Sequence, residues 1–367
     1  MWGRVELMEI KGPGQTGGMM DLPAAVGLPK FRKCNSAQRW ASVRPNIRLT
    51  VLNLALLFGL MSASLIWLPF STVAIQSALC LDLAVAMAPL LFLWVVFGAL
   101  RYQLGRVPLR HGGVLSDFAA RVQAWIMTLV GAALLSFALL LYTYLATATS
   151  RPLMDGYLAS MDSMLGFNWV GYTAWLNSHP LITSAISAAY ASLKIQLLVL
   201  PAVLALMRRT DRLQEFTAYF GLSGTLTCLV MTFVPAAGAF DFFHPSSEIL
   251  TSFSPGASTR RLDQLHALRE LKPFAIVHPE GLVTFPSFHS TLAVMFAYSV
   301  RGIRYIAFPA LVLNVLMILA TPPEGSHYLV DILAGVVIAA ISIRVVGWIA
   351  RPSAAPKPSR RQRIGAR

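Results

Sequence analysis

Apolar runs of about 20 residues recur along this chain, and no other feature restricts its fold as strongly. A segment of that length settles into lipid only if its backbone N–H and C=O groups pair with one another, which a helix achieves within itself. Eight runs stand out, at roughly residues 49–72, 80–100, 122–147, 183–207, 217–240, 286–302, 304–321 and 327–350. The sixth and seventh are short and would tilt against their neighbours. Composition agrees: 56% of residues are hydrophobic and only 13% charged, where a soluble domain carries about 25% charged residues. The expected fold class is an all-α integral membrane helical bundle of about eight transmembrane helices.

The net charge of +14 would suit nucleic acid if the cations formed a face. They sit instead at the chain ends and in short loops between apolar runs, so no nucleic-acid partner is expected. The 101–121 loop, the 208–216 loop, the 301–304 turn and the C-terminal tail are all basic, and eight spans put them on one side. Loops 73–79 and 322–326 carry no Lys or Arg and fall on the other. By the positive-inside rule both N- and C-termini are cytoplasmic. Cys34, Cys80 and Cys228 show no metal-ligand spacing and no disulfide framework.

Four regions follow. Residues 1–48 read as a basic, poorly ordered cytoplasmic tail without a secretory signal peptide. Residues 49–147 read as accessory transmembrane helices, 148–350 as the catalytic membrane core, and 351–367 as a second basic disordered tail.

Two segments carry chemistry: Phe285-Pro286-Ser287-Phe288-His289-Ser290 and His327-Tyr328-Leu329-Val330-Asp331-Ile332-Leu333-Ala334-Gly335. A topology set by loop charge alone puts both histidines at the outer surface. His327 and Asp331 are four apart and share a helix face. A carboxylate there takes the proton of one ring nitrogen and leaves the other as a nucleophile. His289 is placed to protonate a leaving group. Both segments open helices, whose first-turn N–H groups and positive dipole end suit an anion such as phosphate. Pro286 fits a first turn, and Ser287 and Ser290 add hydroxyls. Two such helix ends would form a phosphate cradle. Either histidine alone is more often an interfacial residue, and the His327/Asp331 pair also reads as a packing hydrogen bond. The three side chains also suit a metal, but no further ligand is evident and phosphate chemistry needs none, so neither metal nor cofactor is expected. Lys194 sits near the middle of the fourth run, where a charge is costly, and stands outside this set.

These segments resemble the second and third signature motifs of the type 2 phosphatidic acid phosphatase superfamily, in its inositol phosphorylceramide synthase-like branch. The resemblance runs from about Asp162 to Gly335 and takes in Leu165-Gly166-Phe167, Tyr190-Ala191-Ser192 to Gln196, and Pro235-Ala236-Ala237-Gly238. It implies that His327 attacks phosphorus to form a phosphohistidine, that Asp331 orients it, and that His289 protonates the leaving alcohol. Ser287 would bind phosphate. Thr321 stands where the superfamily usually has Arg, as in the synthase-like branch, and Phe288 where it usually has Gly. The first motif is not intact in the 241–285 loop. Of its cations Arg260, Arg261, Arg269 and Lys272, the branch pattern picks Arg269 for phosphate binding.

The function this implies is that of a lipid phosphate phosphatase (a hydrolase) or a phospho-headgroup transferase. It would act on a phospholipid or lipid phosphate, with a lipid alcohol or water as acceptor, at the extracytoplasmic side of a plasma or inner membrane. The competing class is a non-enzymatic membrane transporter or lipid-binding protein. Transporters keep ionisable sites near mid-membrane, and only Lys194 does so here.

Overall fold

A computed structural model describes residues 46–106, 110–149, 151–253 and 255–351. The basic tails expected over 1–48 and 351–367 lie almost wholly outside the described residues. The chain forms helices α1 (Ile47–Trp67), α2 (Ser77–Leu104), α3 (Arg110–Thr147), α4 (Asp155–Met164), α5 (Trp169–Asn177), α6 (Pro180–Ala191) and α7 (Leu193–Leu206). There follow α8 (Thr210–Phe233), α9 (Ala239–Phe243), α10 (Pro255–Arg269), α11 (Phe288–Ser299), α12 (Arg304–Gly325) and α13 (Leu329–Ala350). The described sheet is one short parallel pair, β1 (Val73–Ile75) with β2 (Phe274–Ile276), which ties the α1–α2 connection to the segment before α11.

Among the described residues six helices are long and apolar enough to cross a membrane: α1, α2, α3, α8, α12 and α13. The protein is therefore an all-α integral membrane bundle. Two of the eight expected runs take a different form. The run at 183–207 is broken into α6 and α7, bent by 56°. Ser192 sits at the break, its hydroxyl donating to the Ala189 carbonyl and accepting from Gln196 Nε2. Side-chain bonds of this kind compete with the backbone ladder and bend helices. Gln196 Oε1 in turn accepts from Asn314 of α12, so these polar groups pair inside an apolar setting. Lys194, expected near the middle of a span, stands in the first turn of α7 and lines a cleft with Asp82 and Ser136, apart from both histidines.

The run at 286–302 yields only the 12-residue α11, about 18 Å at 1.5 Å per residue and too short to cross alone. Its apolar residues face protein: Leu292, Ala293, Met295 and Phe296 are buried among α8, α12 and α13. An apolar run cannot by itself show whether lipid or protein covers it. α11 is thus a central post among α7, α8, α12 and α13, while α4, α5 and α9 hold the end of α12 and the start of α13.

α1 packs on α3, α8 and α13, and α2 chiefly on α3. The largest core cluster brings Phe216, Tyr219, Phe296, Met317 and Ala339 together from four helices. Cys228 is buried in that cluster as a small apolar residue.

Candidate active site

The site is built around the start of α13. Tyr328 is the N-cap residue, and Asp331 at the third helical position accepts the Tyr328 N–H at 2.9 Å. The N–H groups of Leu329 and Val330 are taken by the two carboxylate oxygens of Asp162, on α4, at 2.8 and 2.9 Å. The Tyr328, Leu329 and Val330 N–H groups at the start of α13 therefore have carboxylate partners, and the two-helix cradle is not formed. Protein carboxylates win these positions because a helix N-terminus stabilises any fixed anion, and a tethered one is always present.

α11 differs. Ser287 caps it, accepting from the Ser290 N–H and hydroxyl, while the Phe288 and His289 N–H groups have no partner among the described residues. Pro286 lies just outside the helix, after a cis Phe285–Pro286 peptide, rather than in its first turn. The Ser287 N–H donates to the Asp331 backbone carbonyl at 3.0 Å, which joins the two motifs directly. Gly335 lets them approach: a Cβ there would lie 2.3 Å from the Ser287 carbonyl oxygen. The Thr291 hydroxyl reaches across to the Gly335 carbonyl at 2.9 Å.

His327 lies in the short link between α12 and α13. Its Nδ1 is 3.2 Å from Asp331 Oδ2, and its ring centroid is 6.3 Å from that of His289. The link is clamped from behind. Ser326 has left-handed φ of 59° and its carbonyl and hydroxyl accept from the Ala239 and Phe240 N–H groups. Asp155 accepts the Ala237 and Gly238 N–H groups and the Tyr328 hydroxyl. Gly238 has φ of 108°, and a Cβ there would meet the Ser326 carbonyl oxygen at 2.7 Å. Glycine is required there on both counts. The Pro235–Gly238 stretch thus shapes the site from outside it.

His327 is 2% exposed. Burial, then the neighbouring His289 and the Arg261 charge, hold its imidazole well below the ordinary histidine range. It is neutral at pH 7, the form a nitrogen nucleophile requires.

The structure brings His289, His327, Asp331 and Ser287 together. It does not bring Arg269, whose guanidinium turns to the Arg151 carbonyl. Arg261, eight residues earlier on α10 and so about 12 Å along the axis, reaches inward instead. Its Nη1 donates to the Ala237 carbonyl at 3.0 Å and the Thr284 hydroxyl at 3.1 Å. Its Nη2 is buried with no partner among the described residues, and so is Asp331 Oδ1. Sequence reasoning named Arg261 among four loop cations, but only the fold of α10 separates it from Arg269.

A helical membrane protein with two facing histidines, one carboxylate-paired, and a buried arginine beside them has the makings of a phosphoryl-transfer centre. The family described as the PAP2 superfamily matches residues 156–345, a little over half of the chain, and the protein belongs to it. That match spans α4 to most of α13 and leaves out α1 to α3. No curated protein and no solved structure matched the chain. Superfamily membership points to phosphatase or phosphotransferase chemistry on lipid phosphates.

Proposed function

We propose that the protein transfers a phosphoryl or phospho-headgroup unit from a lipid through a phosphohistidine on His327. Asp331 Oδ2 holds the Nδ1 proton, which leaves Nε2 as the lone-pair nitrogen. Nε2 attacks phosphorus while His289 gives its proton to the departing lipid oxygen. In the second half-reaction His289 takes the proton of the acceptor hydroxyl, that oxygen attacks phosphorus, and the N–P bond breaks. The phosphoryl oxygens are received by Arg261 Nη2 and the Phe288 and His289 N–H groups, with Ser287 holding the turn that presents them. Arg269 has no direct part.

The observation that carries this reading is His327, paired with Asp331 and facing His289 across 6.3 Å between ring centroids, with the buried Arg261 charge acting on it. A transporter site would not need a carboxylate-oriented histidine next to a second one. Transfer to a lipid alcohol, as in an inositol phosphorylceramide synthase-like reaction, is favoured over hydrolysis by burial, since Ser287 and Asp331 have no exposed surface. The basic 101–121 and 208–216 loops and the 301–304 turn support an extracytoplasmic centre.

The test is turnover in mixed micelles of labelled phosphatidic acid, phosphatidylinositol and ceramide, beside His327→Ala. Label moving onto ceramide means headgroup transfer, and released phosphate means hydrolysis. Activity surviving in His327→Ala excludes His327 as the nucleophile.

A further inference from the structure

Tyr190, in the last turn of α6, lies face to face with His289. The ring centroids are 4.5 Å apart and the planes 16° from parallel. Its hydroxyl oxygen is 3.5 Å from His289 Nδ1, a long contact of the kind that tightens when substrate closes on an acid–base pair. A Cβ on Gly325 would sit 2.9 Å from Tyr190 Oη and 3.1 Å from His327 Nε2, so the hydroxyl and the attacking nitrogen border the same small space. One turn back on α6, Ser187 donates to Glu324. That carboxylate therefore has a partner of its own, and the described partner of Tyr190 Oη is His289.

We propose that Tyr190 is a positioning residue for His289: its ring holds the imidazole plane, and its Oη accepts the Nδ1 proton. This rests on His289 being the acid–base group of the reaction described above. His289 acts as acid from its imidazolium form, which the bound phosphate anion favours. With Nδ1–H committed to Tyr190, the Nε2 proton goes to the leaving oxygen and the ring is left neutral with its hydrogen on Nδ1. The same Nε2 then takes the proton of the acceptor hydroxyl and restores the imidazolium. No proton moves through the tyrosine, and Nδ1 keeps its hydrogen in both half-reactions. Without this tether the neutral ring would share its proton between the two nitrogens, and part of the population would present a protonated Nε2 to the acceptor. The break at Ser192 acquires a purpose here, because it ends α6 directly after the turn that carries Tyr190.

Two measurements on the full-length protein in detergent micelles test this. The first is nitrogen-15 NMR of labelled histidine, with His289 assigned by loss of its signals in His289→Gln. The expected result is a proton localised on Nδ1 of neutral His289 in the parent and spread over both nitrogens in Tyr190→Phe, which keeps the stacked ring. The second compares a lipid phosphate, whose alkoxide leaving group needs protonation, with an aryl phosphate, whose phenoxide does not. Tyr190→Phe is expected to lower kcat/KM on the lipid, which reports the first half-reaction, about 10–100-fold, since a positioned acid is worth about 10²–10⁴-fold and only part is lost. The aryl ester keeps its kcat/KM within about threefold on the same argument. Tyr190→Leu, which removes the stack as well, falls further on the lipid. An unchanged His289 tautomer in Tyr190→Phe, or equal losses of kcat/KM on both esters, overturns the proposal. If the parent turns over no phosphate ester at all, the functional reading fails. The tautomer measurement then still decides whether Tyr190 positions His289.

Discussion

Gly335→Ala probes whether catalysis depends on how closely α11 and α13 pack. The added Cβ would sit 2.3 Å from the Ser287 carbonyl oxygen and 3.1 Å from Thr291 Oγ1. The nearer atom is backbone, so no side chain can swing away. To restore even a 3.0 Å contact the Ser287 carbonyl must retreat by about 0.7 Å. That carbonyl belongs to the turn whose N–H holds Asp331 and whose next two residues are Phe288 and His289. Overpacking of this size costs about 1–3 kcal/mol. A displacement approaching 1 Å at a catalytic group costs about 10²-fold in rate. Gly347→Ala on the same helix is the control, since a Cβ there meets nothing within 4 Å and alanine favours a helix by about 1 kcal/mol over glycine. The assay pairs thermal unfolding in detergent with transfer kinetics. The expected result is that Gly335→Ala loses activity steeply with a modest fall in Tm, while Gly347→Ala keeps both. Full activity in Gly335→Ala would refute the claim that this helix contact sets the spacing of Ser287 and His289 from His327.

Further outcomes follow from the same geometry. Arg261→Ala should lower kcat/KM by two orders of magnitude or more, because a preorganised donor to a developing anion is worth about 10²–10³-fold; Arg269→Ala should stay near the parent in the same assay. Asp162→Ala leaves the Leu329 and Val330 N–H groups unpaired, at about 1–3 kcal/mol for each buried donor, and should lower Tm measurably in detergent melts. The depressed pKa of buried His327 makes stability fall as pH falls. Above about pH 6.5 both folded and unfolded histidine are neutral; below it the unfolded chain binds a proton that the folded one refuses, at up to about 1.4 kcal/mol per pH unit. Melts between pH 5 and 7.5 should show this slope, and His327→Gln should reduce it without abolishing it, because burial pushes His289 down to about 4 and gives it a share of its own. Single cysteines at Ser77 and Arg106, labelled from each side of sealed vesicles, should react from opposite faces; labelling from one face would overturn the proposed orientation.

The helical membrane class was legible because apolar length is a one-dimensional property, and each of the eight runs corresponds to helix in the structure. What could not be read was what each run packs against. The 286–302 run has an apolar centre that reads as a span, yet Met295 and Phe296 meet α8 and the other core helices, so α11 could be short. The break in 183–207 turns on Ser192, Gln196 and Asn314, and the last comes from a helix more than a hundred residues away. Lys194 looked anomalous only while that run was taken as one straight span.

The candidate site divides along the same line. His327 and Asp331 do pair, but not across a helix face as their spacing suggested: His327 lies in the link before α13, and Asp331 reaches back to it from the first turn. Spacing said nothing of the rival anions. Asp155 and Asp162 come from α4, outside the histidine motifs, and by sealing the start of α13 they leave the phosphate only α11 and Arg261. The choice between Arg261 and Arg269 was equally non-local, since the two lie on one helix and differ only in what their ends meet. The site thus has a division of labour between its two helix starts: protein carboxylates make the α13 end rigid around the nucleophile, and the α11 end keeps its N–H groups for the group being transferred. Were α11 also capped by a carboxylate, Arg261 alone would face the phosphoryl oxygens. Placing an acid at Phe288, Phe288→Asp, should therefore weaken phosphate-ester turnover through KM, while leaving His327 and Asp331 paired.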